Sequence, residues 1–490
     1  MTDISEVNLG GETVKATVAK FAMAASGFVG MILFARLLGP TSLGGFYLLL
    51  GVVKIADRPI HGWSIAAKKR FSEYESSESS VVGALVVFVA VWLIVVATVS
   101  FALSFQLRKY TGLKNAPMLF FILLASEPLY EPFEKLLQAR GQIGLAAWLD
   151  AVRSYLTLPL QIFFILSGFG AAGMVFGLAG GTLITIPVVV YFLAVSPTFP
   201  SLSILRSLAI YARYSIPSSF FSTIYDRFDV LLLGILLTSS ISVGYYEVAA
   251  KLTLPSLFVS TAAASGLMTR VSFYRSKRQD ITEDIENTLA FASVLAVPIF
   301  FGTLVLPKEL VVTLYGPEYA PAAPFLIGIS AYNVFKSQNA PLTQVINGLD
   351  MPERAMYVSG TTLAINIAIG VLLVLRLGPI GVVIATLIAE LARYILLSLI
   401  IRKYIPGMNL IPRTIWQQFG SGVIMSMAVL VIHQMVPIRS WFGLTIHLVT
   451  GSGIYAISLI IMSDLFRSTI GSVLRGSQIE QFVPNPVLEW

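Results

Sequence analysis

The sequence predicts an all-α membrane protein that crosses the bilayer about fourteen times. Of its 490 residues, 56% are hydrophobic and only 12% are charged, and the mean hydropathy is +0.81. This composition leaves too few polar side chains to cover a water-soluble surface. Continuous apolar runs of about 20 residues recur along the chain, and each is long enough to cross the hydrocarbon core as a helix. Strands of a membrane barrel would instead alternate over about ten residues.

Proline, glycine and charged residues bound the apolar runs and place the spans in order. The predicted spans cover residues 15–37, 41–61, 80–106, 115–138, 142–168, 171–196, 213–237, 241–268, 283–306, 321–346, 353–376, 380–401, 413–436 and 441–465. The connections between them are short, so function is expected inside the helical bundle. The polar, acid-containing N-terminus is unlike a cleaved signal, and the first run is expected to remain as a helix.

Lys and Arg residues predict the orientation, because cytoplasmic loops retain them. One set of connections holds fifteen of these residues, including Lys68, Lys69 and Arg70, and the opposite set holds seven. The excess places both termini in the cytoplasm, which agrees with an even number of spans.

The chain also matches itself at a nearly constant offset, as transporters built from duplicated halves do. The matching segments are LLGPTSLGGFY (37–47) with LLTSSISVGYY (236–246) at an offset of 199, EPLYEP (127–132) with KSQNAP (336–341) at 209, and GAAGMV (170–175) with GPIGVV (378–383) at 208. A repeat of six helices predicts two parallel six-helix lobes, residues 1–200 and 201–407. Residues 408–490 then add two further helices and a cytoplasmic tail.

Several classes of function are disfavoured by the composition. The chain has no cysteine, and its three histidines, His61, His433 and His447, are not spaced along the sequence to share a metal. We therefore expect no metal site. The net charge of +7 is the excess expected from cytoplasmic loops, so we expect no nucleic-acid partner. A membrane-embedded glycosyltransferase is disfavoured because no loop could hold a catalytic domain and none carries a DxD motif.

Two stretches carry a family resemblance. The first two spans read ILFARLLGPTSLGGFYLLLGVVKIAD (32–57), and the seventh and eighth read YSIPSSFFSTIYDRFDVLLLGILLTSSISVGYYEVAAKL (214–252). Both resemble the corresponding helices of Wzx-type polysaccharide flippases. The shared features are the ARLLGP junction, a proline in the seventh helix and a D-x-x-x-L-G pattern whose acid is Asp229. These flippases belong to the multidrug/oligosaccharidyl-lipid/polysaccharide (MOP) exporter superfamily, together with MATE drug antiporters and the lipid II flippase.

The resemblance implies a V-shaped pair of lobes that opens alternately to the two sides of the cell membrane. It implies that a polyprenyl-phosphate- or pyrophosphate-linked oligosaccharide moves from the cytoplasmic to the external leaflet, without covalent chemistry, during surface polysaccharide or glycoprotein biosynthesis. The expected partners are this substrate, membrane lipid and glycan-assembly enzymes, around a monomeric transport unit. No cofactor is expected, and coupling to Na⁺ or H⁺ is left open. A MATE-like cation-coupled multidrug exporter is the alternative.

Ionisable residues at membrane depth are costly, so they are the candidate functional residues. In the second span, Lys54 and Asp57 can pair, while Asp57, Arg58 and His61 could instead reach the cytoplasmic interface beside Pro59. In the fourth span, Glu127 occupies the position that the repeat matches to Lys336 in the tenth. Opposite charges at matching depth predict either a gate or pairing within each lobe.

The remaining candidates each have a structural alternative. The amides Asn333, Gln338 and Asn339 suit sugar hydroxyls or hydrogen bonds between helices. Arg153 and Lys251 are candidate phosphate contacts, but Arg153 can pair with Asp150, and Lys251 with Glu247 at i,i+4. The predicted substrate site comprises Lys54, Glu127, Arg153, Lys251, Asn333, Lys336, Gln338 and Asn339, with Asp57, Asp229 and Glu247 in coupling or gating roles. Eight cations and eight acids at membrane depth sum to zero, so charge alone does not predict an anion site.

Overall fold

The structure is a computed structural model, and it describes residues 9–73, 78–237, 239–277 and 279–475. Over these residues it is all-helical. The helices are α1 (Leu9–Ala56), α2 (Arg58–Glu73), α3 (Glu78–Ala102), α4 (Ser104–Thr111), α5 (Ala116–Ala139), α6 (Ile143–Phe164), α7 (Ala171–Leu193), α8 (Leu202–Leu237), α9 (Ser240–Thr253), α10 (Phe258–Ser276), α11 (Thr282–Ala292), α12 (Ala296–Val305), α13 (Pro307–Tyr315), α14 (Ala323–Gly348), α15 (Pro352–Leu377), α16 (Ile380–Tyr404), α17 (Arg413–Met435), α18 (Trp441–Met462) and α19 (Asp464–Arg475).

Ten helical stretches among the described residues are long and apolar enough to cross a membrane, so the protein is a multi-pass membrane protein. Three long helices fall outside these ten: α5, α8 and α14, with 24, 36 and 26 residues. Each carries several polar or charged side chains in its interior, which lowers its mean hydropathy. The candidate functional residues are concentrated on these helices and on the end of α1.

Helix α1 bends where the sequence predicts that the first two spans meet. Gly39 has a φ of 71°, which is outside the helical region and favours glycine, and Pro40 follows it. Pro59 was expected to kink or end the second span. The helix is irregular only at Asp57, since the amides of Asp57 and His61 still donate to the carbonyls of Val53 and Asp57, and α2 continues to Glu73.

The chain forms two compact units, Met1–Glu247 and Val248–Trp490. In the first unit, α2 packs against α5 and α8, and α6 packs against α7. The G-x-x-x-G spacing of α7 permits this last contact, as the sequence predicts: a methyl group on Gly177 would lie 2.4 Å from the Gln161 amide nitrogen. In the second unit, α14 packs against α10 and α16. The lobe boundary near residue 200 stays a prediction.

The hairpin of α17 and α18 brings two histidines together. The ring centroids of His433 and His447 are 5.7 Å apart. The spacing of these residues along the sequence did not indicate that they would meet, because the contact depends on how the two helices align.

Candidate functional site

Glu127 joins two cations in the first unit. Its Oε2 is 3.3 Å from Lys54 Nζ, its Oε1 is 2.9 Å from Arg153 Nη1, and Thr182 donates a hydrogen bond to Oε1 at 3.2 Å. The Glu127 side chain is only 9% exposed. The carboxylate therefore neutralises side chains from the end of α1 and from α6 at one buried point. Charge at such a point is tolerated only when it is paired in this way.

Two further acids complete this network. Asp57 lies 3.6 Å from Lys54 Nζ and 2.6 Å from Arg58 Nη2, and Asp150 lies 2.8 Å from Arg153 Nη2. The predicted pairs Lys54–Asp57 and Arg153–Asp150 are thus present. The alternative that Asp57 reaches the interface is wrong, because the Asp57 side chain is buried and ion-paired and α2 runs on beyond it.

A second polar contact joins α2 to α5. His61 Nδ1 is hydrogen-bonded to Glu131 Oε1, and Lys68 donates to Gln138 Oε1 at 2.9 Å further along the same two helices. Sequence reasoning did not select the His61–Glu131 pair. Glu131 is four residues after Glu127 and therefore shares its helix face, which is the signal that could have found it.

The predicted pairing of Glu247 with Lys251 is wrong. Glu247 is buried and lies 3.5 Å from Arg227 Nη1, and Asp229 accepts a hydrogen bond of 2.6 Å from the Tyr246 hydroxyl. Both contacts cross from α8 to the start of α9. The i,i+4 spacing of Glu247 and Lys251 allowed a pair within one helix, but the neighbouring helix supplies a guanidinium that Glu247 meets instead.

Two lysines of the second unit have no acidic partner. In the part of the chain that the structure describes, neither Lys251 nor Lys336 forms an ion pair. Lys251 is half-buried, and Lys336 is exposed near the middle of α14. Glu127, the position matched to Lys336 by the repeat, pairs inside the first unit as described above. Lys336 therefore presents its positive charge outward from the centre of a span-length helix.

The three amides of α14 are buried and bonded to neighbouring helices. Asn339 Nδ2 donates to Glu390 Oε2 at 2.7 Å, Gln338 Nε2 to the Leu289 carbonyl at 3.2 Å, and Asn333 Nδ2 to the Thr253 carbonyl at 3.5 Å. These are the bonds of the structural alternative. The carbonyl oxygens of Gln338 and Asn339 receive no hydrogen bond from the described residues.

Comparison with known proteins places the chain in a family. A family profile described as "Polysaccharide biosynthesis protein" matches residues 33–324, which is more than half of the chain. The chain belongs to this polysaccharide biosynthesis protein family. The match covers both stretches that carry the resemblance to Wzx-type flippases, and that resemblance is confirmed.

Two relatives of this family member come from Haloferax volcanii. The "Probable low-salt glycan biosynthesis flippase Agl15" is 28% identical over 387 residues, covering 78% of this chain and 80% of the relative. The "Probable flippase AglR" is 24% identical over 346 residues, covering 70% and 72%. Both relatives are described as flippases, which indicates that this chain is a transport protein rather than an enzyme.

Solved structures share the fold. The "Lipid II flippase MurJ, inward closed conformation" superposes with a TM-score of 0.76 over 91% of this chain and 98% of its own, at 14% identity. An inward-facing MATE-family multidrug transporter of the MOP superfamily gives 0.60 over 79% and 96%, at 17% identity. These likenesses establish the fold of a MOP-superfamily transporter.

Proposed function

We propose that this protein is a flippase that moves a polyprenyl-phosphate- or pyrophosphate-linked oligosaccharide from the cytoplasmic to the external leaflet by alternating access. Two relatives described as flippases, one of them in glycan biosynthesis, support the proposal. We assign the protein to the cell membrane with both termini in the cytoplasm, as a monomeric transport unit that receives its substrate from glycan-assembly enzymes.

The proposed transport unit has fourteen crossings. Ten come from the apolar helical stretches, and α5, α8, α14 and the part of α1 after Gly39, together with α2, supply the other four. The length of these helices supports the assignment. Their polarity is what a helix needs when one face borders a water-filled path instead of lipid.

Two parallel six-helix lobes plus two appended helices follow from the sequence repeat. A contact within the first unit supports the duplication, because it relates equivalent positions reciprocally. The carbonyl of Ser240 packs on Gly44, and the carbonyl of Pro40 packs on Gly244. Residues 40 and 240, and 44 and 244, correspond at a constant offset.

The observation that carries the proposed substrate class is the different state of the cations. Lys54 and Arg153 are neutralised by Glu127 and its neighbouring acids, whereas Lys251 and Lys336 have no such partner among the described residues. The zero charge sum of the sequence therefore hides an excess of unpaired positive charge on the second unit. An anionic phosphate or pyrophosphate is the ligand that such charge favours.

We assign the other candidate residues by the same logic. Lys54, Glu127 and Arg153 form a fixed polar wall, and Asn333, Gln338 and Asn339 meet sugar hydroxyls through the carbonyl oxygens that lack a donor. Asp57, Asp229 and Glu247 hold contacts that link neighbouring helices, which suits a gating role. The MATE-like alternative needs a deep carboxylate open to an ion, and these acids are already engaged.

Reconstitution tests the proposal. Liposomes containing the protein and a radiolabelled lipid-linked oligosaccharide are treated with an external enzyme that cleaves only outward-facing glycan. We expect the protein to raise the rate at which label becomes accessible. Unchanged accessibility, together with ion-dependent efflux of a cationic drug from the same liposomes, would support the multidrug exporter instead.

A further inference from the structure

His61 and Glu131 form a titratable pair at the edge of the first unit's charge network. The imidazole of α2 is hydrogen-bonded to the carboxylate of α5, and the two side chains are 21% and 26% exposed. The pair is therefore held by the packing of two helices but remains within reach of water. Neither residue belongs to the substrate site predicted above.

The surroundings of the pair are charged on two sides and neutral on the others. The charged groups that act on Glu131 besides His61 are Lys54, Asp57, Glu134 and Lys135. Helix α8 packs against α2 with hydroxyls: Ser215 donates to the Gly62 carbonyl and Ser219 to the Arg58 carbonyl. Helix α3 adds the indole of Trp92, which donates to the Ala56 carbonyl.

The nearby fixed charges cancel. The cations Lys54, Arg58 and Arg153 are balanced by Asp57, Glu127 and Asp150, to which they are paired. Glu134 and Lys135 cancel each other. Imidazole is the side chain whose ordinary ionisation falls near neutral pH. A neutral His61 with ionised Glu131 leaves one negative charge, and one bound proton, giving imidazolium and carboxylate, removes it.

We infer that His61 and Glu131 bind a proton whose presence strengthens the binding of the anionic headgroup. The inference rests on the proposed function for its ligand, but the proton site itself is independent of it. Proton binding changes the charge of the first unit's network from minus one to zero. An anion at membrane depth meets less repulsion in the proton-bound state, because charges interact strongly where water is scarce.

Two substitutions are expected to act in opposite directions. Farnesyl pyrophosphate serves as the probe, and its equilibrium binding to the purified protein in detergent is measured at pH 5.5 and pH 8. The unmodified protein should bind roughly tenfold more tightly at pH 5.5, corresponding to about 1.4 kcal/mol. Glu131→Gln removes the negative charge and should bind tightly at both values. His61→Gln keeps the charge and should bind weakly at both.

Comparison of the variants at each pH cancels the ionisation of the probe itself. His433→Gln, at the half-buried histidine of α17, is the matched control and should retain the pH dependence of the unmodified protein. The same pH dependence in His61→Gln and Glu131→Gln as in this control would overturn the inference.

A ligand-free measurement separates this inference from the proposed function. Infrared difference spectra between pH 5.5 and pH 8 should contain an imidazole signal that His61→Gln removes and Glu131→Gln shifts. A spectrum that neither substitution alters would overturn the proton site. Absence of probe binding at any pH, with these spectral changes present, would overturn the proposed headgroup and leave the proton site standing.

Discussion

Gly44 and Gly244 lie backbone against backbone in the first unit. A methyl group on Gly44 would be 2.8 Å from the Gly244 amide nitrogen and 1.7 Å from the Ser240 carbonyl oxygen, and one on Gly244 would be 2.2 Å from the Pro40 carbonyl oxygen. The contact relates residues 200 apart, one more than the offset of the sequence match. Only glycine allows this approach of α1 to α9.

Gly44→Val should therefore disrupt the contact. The added side chain meets backbone that cannot rotate away, so we expect a loss of about 1–3 kcal/mol in stability, seen as a lower thermal unfolding temperature in detergent. Gly51→Ala is the control: nothing lies within 4 Å of its added methyl, and alanine favours helix. Equal unfolding temperatures for Gly44→Val and the unmodified protein would contradict the close packing.

A disulfide across this contact should block transport. The chain has no cysteine, so Gly44→Cys with Ser240→Cys introduces the only two thiols. If the proposed lobes separate here during alternating access, oxidation should stop glycan-lipid flipping and a reductant should restore it. The control pair is Gly181→Cys with Thr157→Cys, between α6 and α7 of one proposed lobe, whose oxidation should leave flipping intact. Continued flipping with the 44–240 pair cross-linked would exclude motion at this contact.

Glu127→Ala should be strongly destabilising. It leaves Lys54 and Arg153 without their shared carboxylate, and breaking a buried ion pair typically costs about 3–5 kcal/mol. The partial exposure of Lys54 argues for the lower end. Detergent-induced unfolding measures the change, and Glu318→Ala, at an exposed acid of the second unit, should stay within about 0.5 kcal/mol. A small effect for Glu127→Ala would mean that the two cations find other partners.

The residues of this network show what the sequence can predict. The pairs Lys54–Asp57 and Arg153–Asp150 follow from a spacing of three residues, which fixes neighbours on a regular helix. The role of Glu127 does not follow, because its contacts depend on how α5 lies between the end of α1 and α6. The same limitation explains why Glu247 pairs with Arg227 and not Lys251. Helical periodicity carries no information about which neighbouring helix supplies a partner.

The apolar helices were predictable for a related reason. Runs such as those of α3, α7 and α15 are uniformly hydrophobic, so composition alone indicates a span. Helices α5, α8 and α14 depart from that pattern where they carry polar groups, and the proposed crossings rest on their length. The least regular helices are therefore also those that hold the candidate site.

Lys251→Gln and Lys336→Gln should each slow flipping roughly tenfold without reducing the amount of folded protein. Each removes a cation that has no acidic partner in the described chain, so folding loses little, while an anionic headgroup loses a charged contact worth about 1.5–3 kcal/mol. The flipping assay with liposomes measures the rate. Lys308→Gln, at an exposed lysine at the start of α13, is the matched control and should flip normally. Lys336→Arg keeps the charge and should retain most of the activity. Normal flipping in both glutamine variants would remove these lysines from the substrate site, and it would return the search for the headgroup contact to Lys54 and Arg153, whose charges would then have to be released from Glu127 as substrate binds.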